Sequence, residues 1–115
     1  MADVEYIEVQ EEKCDDGVIF KPIGEIDLSR APSLRTSLTQ ALRNKPPRLV
    51  IDLSEVPYMD SSGVATFVEA MQLTRKTRTK LILCSLQDRV RSIFEIARLD
   101  MVFTIVADRE AAMAV

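Results

Sequence analysis

Apolar positions along this chain follow two alternating rhythms. Leu49-Val50-Ile51 is an uninterrupted apolar run closed by Asp52, the pattern of a strand buried on both faces. Downstream, Val64, Phe67, Val68 and Met71 recur at i, i+3, i+4 and i+7, which is one face of an amphipathic helix. Leu81-Ile82-Leu83-Cys84 repeats the strand rhythm, and Val90, Ile93, Phe94 and Ala97 repeat the helical one. Residues 103–106 predict a last strand, after which Asp108 caps a short final helix through Glu110, Ala111 and Met113. Nearer the start, residues 4–10 and 18–20 predict two strands joined by a polar turn over 11–17, where Asp15-Asp16-Gly17 supplies the turn chemistry. A helix is then expected to begin near Asp27 or Ser29, take Pro32 in its first turn, run past Leu34, Leu38 and Leu42, and stop at Lys45-Pro46-Pro47.

Three strands separated by helices of this length imply right-handed crossovers and a parallel core, with the first hairpin adding antiparallel edge strands. The expected class is α/β, a mixed central sheet with about four helices. In open sheets of this kind, sites collect at the carboxyl ends of the strands, and segment 53–63 leaves a strand at that end. Within it, Tyr58 to Val64 read YMDSSGV. Asp60 is a good N-cap residue, which places Ser61 and Ser62 in the first helical turn beside free backbone N–H groups and the positive end of the helix dipole. A hydroxyl in that position can be phosphorylated as a switch, although capping alone also accounts for the residues.

Composition narrows the field. With 115 residues, 47% hydrophobic and 29% charged, the chain fits one folded domain over 1–115. A net charge of −3 leaves no basic face of the size that nucleic acid needs, and Arg75-Lys76-Thr77-Arg78-Thr79-Lys80 is read as a solvated helix end and turn. The opening Met1-Ala2-Asp3-Val4-Glu5 lacks the regions of a signal peptide, and no apolar run is long enough to insert in a membrane, so a cytoplasmic location is expected. Cys84 closes an apolar run and reads as a buried reduced thiol, with no metal site visible.

Histidine is absent, which removes Ser-His nucleophile pairs, histidine bases and histidine metal ligands. The three glycines stand in no phosphate-cradling pattern, and Asp52, Glu55, Asp60 and Glu69 are explained by caps, turns and solvated faces. Neither an enzyme nor a cofactor is expected.

The run Leu49-Val50-Ile51-Asp52-Leu53-Ser54 to Tyr58-Met59-Asp60-Ser61-Ser62-Gly63-Val64, with Gly24-Glu25-Ile26-Asp27 upstream and Val90-Arg91-Ser92-Ile93-Phe94 downstream, resembles STAS domains of the anti-sigma factor antagonists. That resemblance spans almost the whole chain. It implies a partner-switching protein whose unphosphorylated form binds an anti-sigma factor serine/threonine kinase and so frees a sigma factor. Phosphorylation of the first serine of D-S-S-G, here Ser61, breaks the complex, and a PP2C-type phosphatase restores it. Asp60 and Gly63 also match the motif, whereas Val64-Ala65 stands where many relatives have Leu-Gly, and Pro57 precedes Tyr58.

Expected interface residues are Ser61, Ser62, Tyr58, Met59, Thr66 and Glu69 around the helix start, with Asp27 and Ser29 from the neighbouring strand-helix turn. For Tyr58 and Met59, burial under the loop is an equal alternative. Two other readings accompany this one. The first is a STAS regulatory subunit of a transporter ATPase without a phosphate cycle. The second is a phospho-aspartate receiver, suggested by Asp52 followed by Pro57 to Asp60, although the acidic pairs lie in the hairpin turn and no lysine follows the last strand.

Overall fold

Edge-strand chemistry explains the first departure from the sequence pattern. The computed structural model describes residues 5–115, and there β1 runs Glu8–Cys14 and β2 Gly17–Ile23, an antiparallel pair turning through Asp15 and Asp16. Val4, where the first strand was expected to begin, lies outside the described residues. Glu11, Glu12 and Lys13 therefore belong to a strand and not to a turn. A strand at the sheet margin needs only backbone partners, and charge along it discourages pairing with another chain. At Gly17 β2 passes so close to the backbone of Arg48 that a Cβ would stand 1.9 Å from the Arg48 carbonyl oxygen.

β3 (Arg48–Asp52), β4 (Lys80–Cys84) and β5 (Thr104–Val106) complete a five-stranded sheet in the order β1-β2-β3-β4-β5. β2 pairs in parallel with β3, Gly17 opposite Arg48 and Phe20 opposite Ile51, so β1 is the antiparallel member and not both hairpin strands. The sheet is mixed α/β as expected. Its sequential order, with an antiparallel margin, departs from the 2-1-3-4-5 order of receiver folds.

Helices follow the apolar rhythm closely. α1 spans Ala31–Leu42 with Pro32 in its first turn and Ala31, Leu34, Leu38 and Leu42 buried. It starts later than Asp27 or Ser29 because Asp27 closes a turn of its own, accepting the N–H groups of Ser29 at 3.0 Å and Arg30 at 3.1 Å. α2 spans Ser61–Thr77, α3 Asp88–Ile96 and α4 Arg109–Met113, and a 3₁₀ turn, Leu99–Met101, precedes β5.

Every residue of β3 is buried, as its unbroken apolar run requires. One side chain set, including Phe20, Leu49, Ile51 and Leu83, joins Leu34, Leu38, Phe67 and Phe94 in the main core. The alternate set, Ile19, Val50, Ile82 and Cys84, packs on the opposite face against Ala112 of α4. Cys84 is a free thiol whose pKa burial pushes up. Arg48 is buried at the start of β3, where its guanidinium donates to the carbonyls of Ala112 at 2.7 Å and Val115 at 2.9 Å and pairs with Asp16 at 3.0 Å.

Candidate functional site

Beyond β2 the chain stays extended just long enough to meet the loop after β3. Ile26 and Met59 form a parallel bridge, with Ile26 N–H donating to Tyr58 O at 3.0 Å and Asp60 N–H to Ile26 O at 3.0 Å. Gly24 N–H donates to Glu55 O at 2.9 Å, so the whole Gly24-to-Asp27 segment lies alongside the loop that leads to α2. Two motifs about thirty residues apart thereby share one surface.

Asp60 is the hinge of that surface. Its extended backbone makes it the N-cap of α2, and one carboxylate oxygen accepts the N–H of Ser62 at 2.9 Å and, more weakly, that of Gly63 at 3.4 Å. The Ser62 hydroxyl donates to the same oxygen. The other oxygen accepts the Leu28 N–H at 3.2 Å. Hydrogen bonding from the Ser62 hydroxyl, opposed by desolvation and supported by these backbone donors, holds the Asp60 carboxyl below its ordinary value. In the neighbouring turn the Ser29 hydroxyl, 2.6 Å from Asp27, lowers the Asp27 pKa in the same way.

The two serines consequently differ. Ser61 is exposed in the first turn, and its hydroxyl makes no hydrogen bond among the described residues. Ser62 is half-buried with its hydroxyl committed to Asp60. Tyr58 is exposed beside them, with the Arg89 guanidinium 5.3 Å from its ring centroid, and Glu69 is exposed one face along α2, paired with Arg35 at 2.7 Å.

Burial corrects part of the expected surface. Met59 and Thr66 are fully enclosed, so neither is exposed for contact. Met59 sits inward because its backbone is bridged to Ile26, which forces its side chain into the core, and the Thr66 hydroxyl donates to the Ser62 carbonyl at 2.8 Å within the helix. Gly63 is buried as well, and a Cβ there would meet Ile26 Cγ2 at 2.8 Å. These three residues shape the surface from beneath.

Leu28 and Ile96, at 76% and 84% exposure, are apolar groups at the site that sequence reasoning passed over. Leu28 follows Asp27 in the turn that touches Asp60, and Ile96 lines an open, largely apolar groove of about 580 Å³ with Tyr58, Ser61, Val64 and Ile93. For Ile96 the signal was present, since it falls off the stripe defined by Val90, Ile93 and Phe94.

Asp52 lies elsewhere, on the sheet's second face. Burial pushes its pKa up, but the Ser54 N–H at 2.9 Å and the Arg109 guanidinium at 2.7 Å outweigh that and leave it lowered. An enclosed, ion-paired carboxylate is poorly placed to accept a phosphoryl group, which, with the strand order, removes the receiver reading. Among the described residues no group of three or more His, Cys, Asp or Glu side chains could hold a metal ion, and no helix is long and apolar enough to cross a membrane.

The STAS domain family matches residues 6–112. The chain is 38% identical over 99 residues to the anti-sigma-B factor antagonist of Listeria monocytogenes, covering 86% of each sequence. An anti-sigma factor antagonist from Mycobacterium paratuberculosis superposes with a TM-score of 0.87 at 25% identity, over 94% of this chain and 92% of that one. The Bacillus cell fate determinant SpoIIAA, solved in its phosphorylated form, shares the fold with a TM-score of 0.69 at 21% identity, over 90% and 96% of the two chains.

Proposed function

The chain belongs to the STAS domain family, and from that premise we propose that it is an anti-sigma factor antagonist acting by partner switching. Unphosphorylated, it docks an anti-sigma factor serine/threonine kinase through the surface around the start of α2, and the sigma factor held by that kinase is released. Phosphorylation at Ser61 ends the contact, and a PP2C-type phosphatase resets it. The chain's part is to bind and to be modified, in the cytoplasm.

One observation carries the assignment of the acceptor: of the two adjacent serines, Ser61 has the exposed, uncommitted hydroxyl, while Ser62 is spent on Asp60. Asp27, Ser29, Tyr58 and Leu28 surround it as contact residues, with Glu69 further along α2. Asp60, Gly63, Met59, Thr66 and Ser62 hold the frame.

The physics of release is local. A phosphate adds about −1.5 to −2 charge, which the N–H groups and dipole of α2 accommodate, while the ionised Asp60 beside it opposes further anionic contact. The fold persists, as the phosphorylated structural neighbour supports. A partner packed over Ser61 would instead enclose a dianion, a penalty of several kcal/mol and orders of magnitude in affinity.

Phosphosite mapping after isolation from the native host, with parallel capture by Ser61→Ala and Ser61→Asp, tests the proposal. Phosphate on Ser61, and a kinase retained by the Ala form and lost by the Asp form, is the expected result. A transporter ATPase retained equally by both forms, with no phosphate, would overturn it in favour of a constitutive subunit.

A further inference from the structure

The end of the sheet opposite Ser61 carries its own pattern. α2, 17 residues and so about 25 Å long, starts at Ser61 and ends beside the turn into β4. Lys80 N–H donates to Pro47 O at 2.8 Å, which joins that turn to the one between α1 and β3. On the two joined turns, the last turn of α2 and the start of β4 stand Arg43, Lys45, Arg75, Lys76, Arg78 and Lys80, all exposed. Ion pairs among the described residues lie elsewhere, at Arg30, Arg35, Arg48 and Arg109, so none of these six stands in one, although the Lys80 ammonium donates to Val115 O at 3.1 Å.

Complementing the helix dipoles does not require so many cations. The dipole effect fades within the last turn, where α2 already has Arg75 and Lys76, whereas Lys45, Arg78 and Lys80 lie beyond their helices. In a chain of net charge −3 the cluster is a local excess of one sign, maintained against its own repulsion. The acidic groups at this end are displaced to its flanks: Asp15 and Asp16 in the hairpin turn, with Asp16 held by Arg48, and Asp100 in the turn before β5.

Next to the cations the surface becomes apolar. Met101 and Val102, which lead into β5 at the same end, are 80% and 45% exposed, and Val102 shares a shallow cleft with Arg75, Thr79 and Leu81. Grooves for single-stranded nucleic acid pair cations with aromatic stacking platforms, and this end has none among the described residues exposed there. Exposed cations flanked by projecting aliphatic side chains match instead a layer of phosphate headgroups over hydrocarbon.

We infer that this end of the domain is a peripheral docking surface for an anionic phospholipid bilayer. Binding is electrostatic, with Met101 and Val102 reaching the headgroup boundary and no segment spanning the bilayer. The α2 axis then points Ser61 away from the lipid, leaving the opposite surface open to a protein partner.

Co-sedimentation with vesicles of equal parts phosphatidylglycerol and phosphatidylcholine, against phosphatidylcholine alone, tests this on the full chain. Partition into the anionic vesicles alone, falling as salt rises, is expected. The triple variant R75Q/K76Q/R78Q should lose about 100-fold in apparent affinity, since each basic residue near an anionic surface contributes about fivefold. M101S/V102S should weaken partition with an unchanged salt slope, and an unchanged melting curve for both variants excludes misfolding. Absence of partition, or equal partition by the triple variant, would overturn the inference. So would tighter binding to random-sequence duplex DNA at the same ionic strength, or displacement by inorganic phosphate at constant ionic strength, which would mean a small-anion site.

Discussion

Asp60 accepts the backbone N–H of Leu28 at 3.2 Å, across 32 positions of chain, while its other oxygen caps α2. One carboxylate thus ties the turn after β2 to the first turn of the helix that carries Ser61. What a partner meets is therefore a single rigid surface built from two distant segments.

Removing that carboxylate is expected to loosen both segments together. Asp60→Ala should cost about 1–2 kcal/mol in urea unfolding, the usual range for losing a helix N-cap. Amide exchange should quicken at Leu28 as well as at Ser62 and Gly63, and acceleration confined to α2 would contradict the tie.

The serines should separate cleanly by stability. Ser62→Ala removes a hydroxyl bonded to Asp60 and is expected to cost about 1 kcal/mol. Ser61→Ala removes a hydroxyl with no partner among the described residues and should leave the unfolding midpoint unchanged while abolishing phosphorylation. Phosphate transferring to Ser62 in the Ser61→Ala protein would refute the division of roles.

Acid titration gives a signed test. Asp27, Asp52 and Asp60 all have lowered folded pKa values, so each contributes stability that is complete above its unfolded value of about 3.9 and is lost as pH falls through the folded one. Urea midpoints should be level between about pH 6 and pH 8 and decline below about pH 4. In Asp60→Asn that decline should be shallower.

Arg109→Met leaves Asp52 enclosed without its guanidinium partner and should destabilise the fold by about 1–3 kcal/mol at neutral pH. Without that cation the Asp52 pKa rises towards its unfolded value, so the decline of stability in acid should be shallower than in the parent protein. An unchanged acid limb would show that the Ser54 N–H alone holds the carboxylate ionised.

Gly63→Ala places a methyl 2.8 Å from Ile26 Cγ2 and 3.1 Å from Met59 Cβ, in a contact between two core residues that cannot swing away. A loss of about 1–3 kcal/mol is expected, as for overpacked cores, read by thermal or urea unfolding.

Much of this architecture was legible in the residues. The apolar run at β3, the i, i+3, i+4, i+7 stripe of α2 and the Asp60 cap are local patterns, and local patterns survive into structure. β1 was misplaced because polarity marks exposure and not pairing, so the charged margin Glu11-Glu12-Lys13 reads as a turn. Met59 was ambiguous for a related reason: only the bridge to Ile26 fixes which way its side chain points, and that bridge joins residues 33 positions apart. Leu28 and the basic end likewise depend on which turns the fold brings together.

Strand order in this sheet equals chain order, β1 through β5. A chain emerging from the ribosome therefore meets each sheet partner already in place, since every strand joins the one before it. Arg48 is an exception, because its buried guanidinium waits for the carbonyls of Ala112 and Val115, 64 and 67 positions downstream. Until α4 arrives, that cation lies without its acceptors on a sheet face still open to water. Closure of the second face thus acts as a completeness check, and nascent chains stalled before α4 should be the species that proteases recognise.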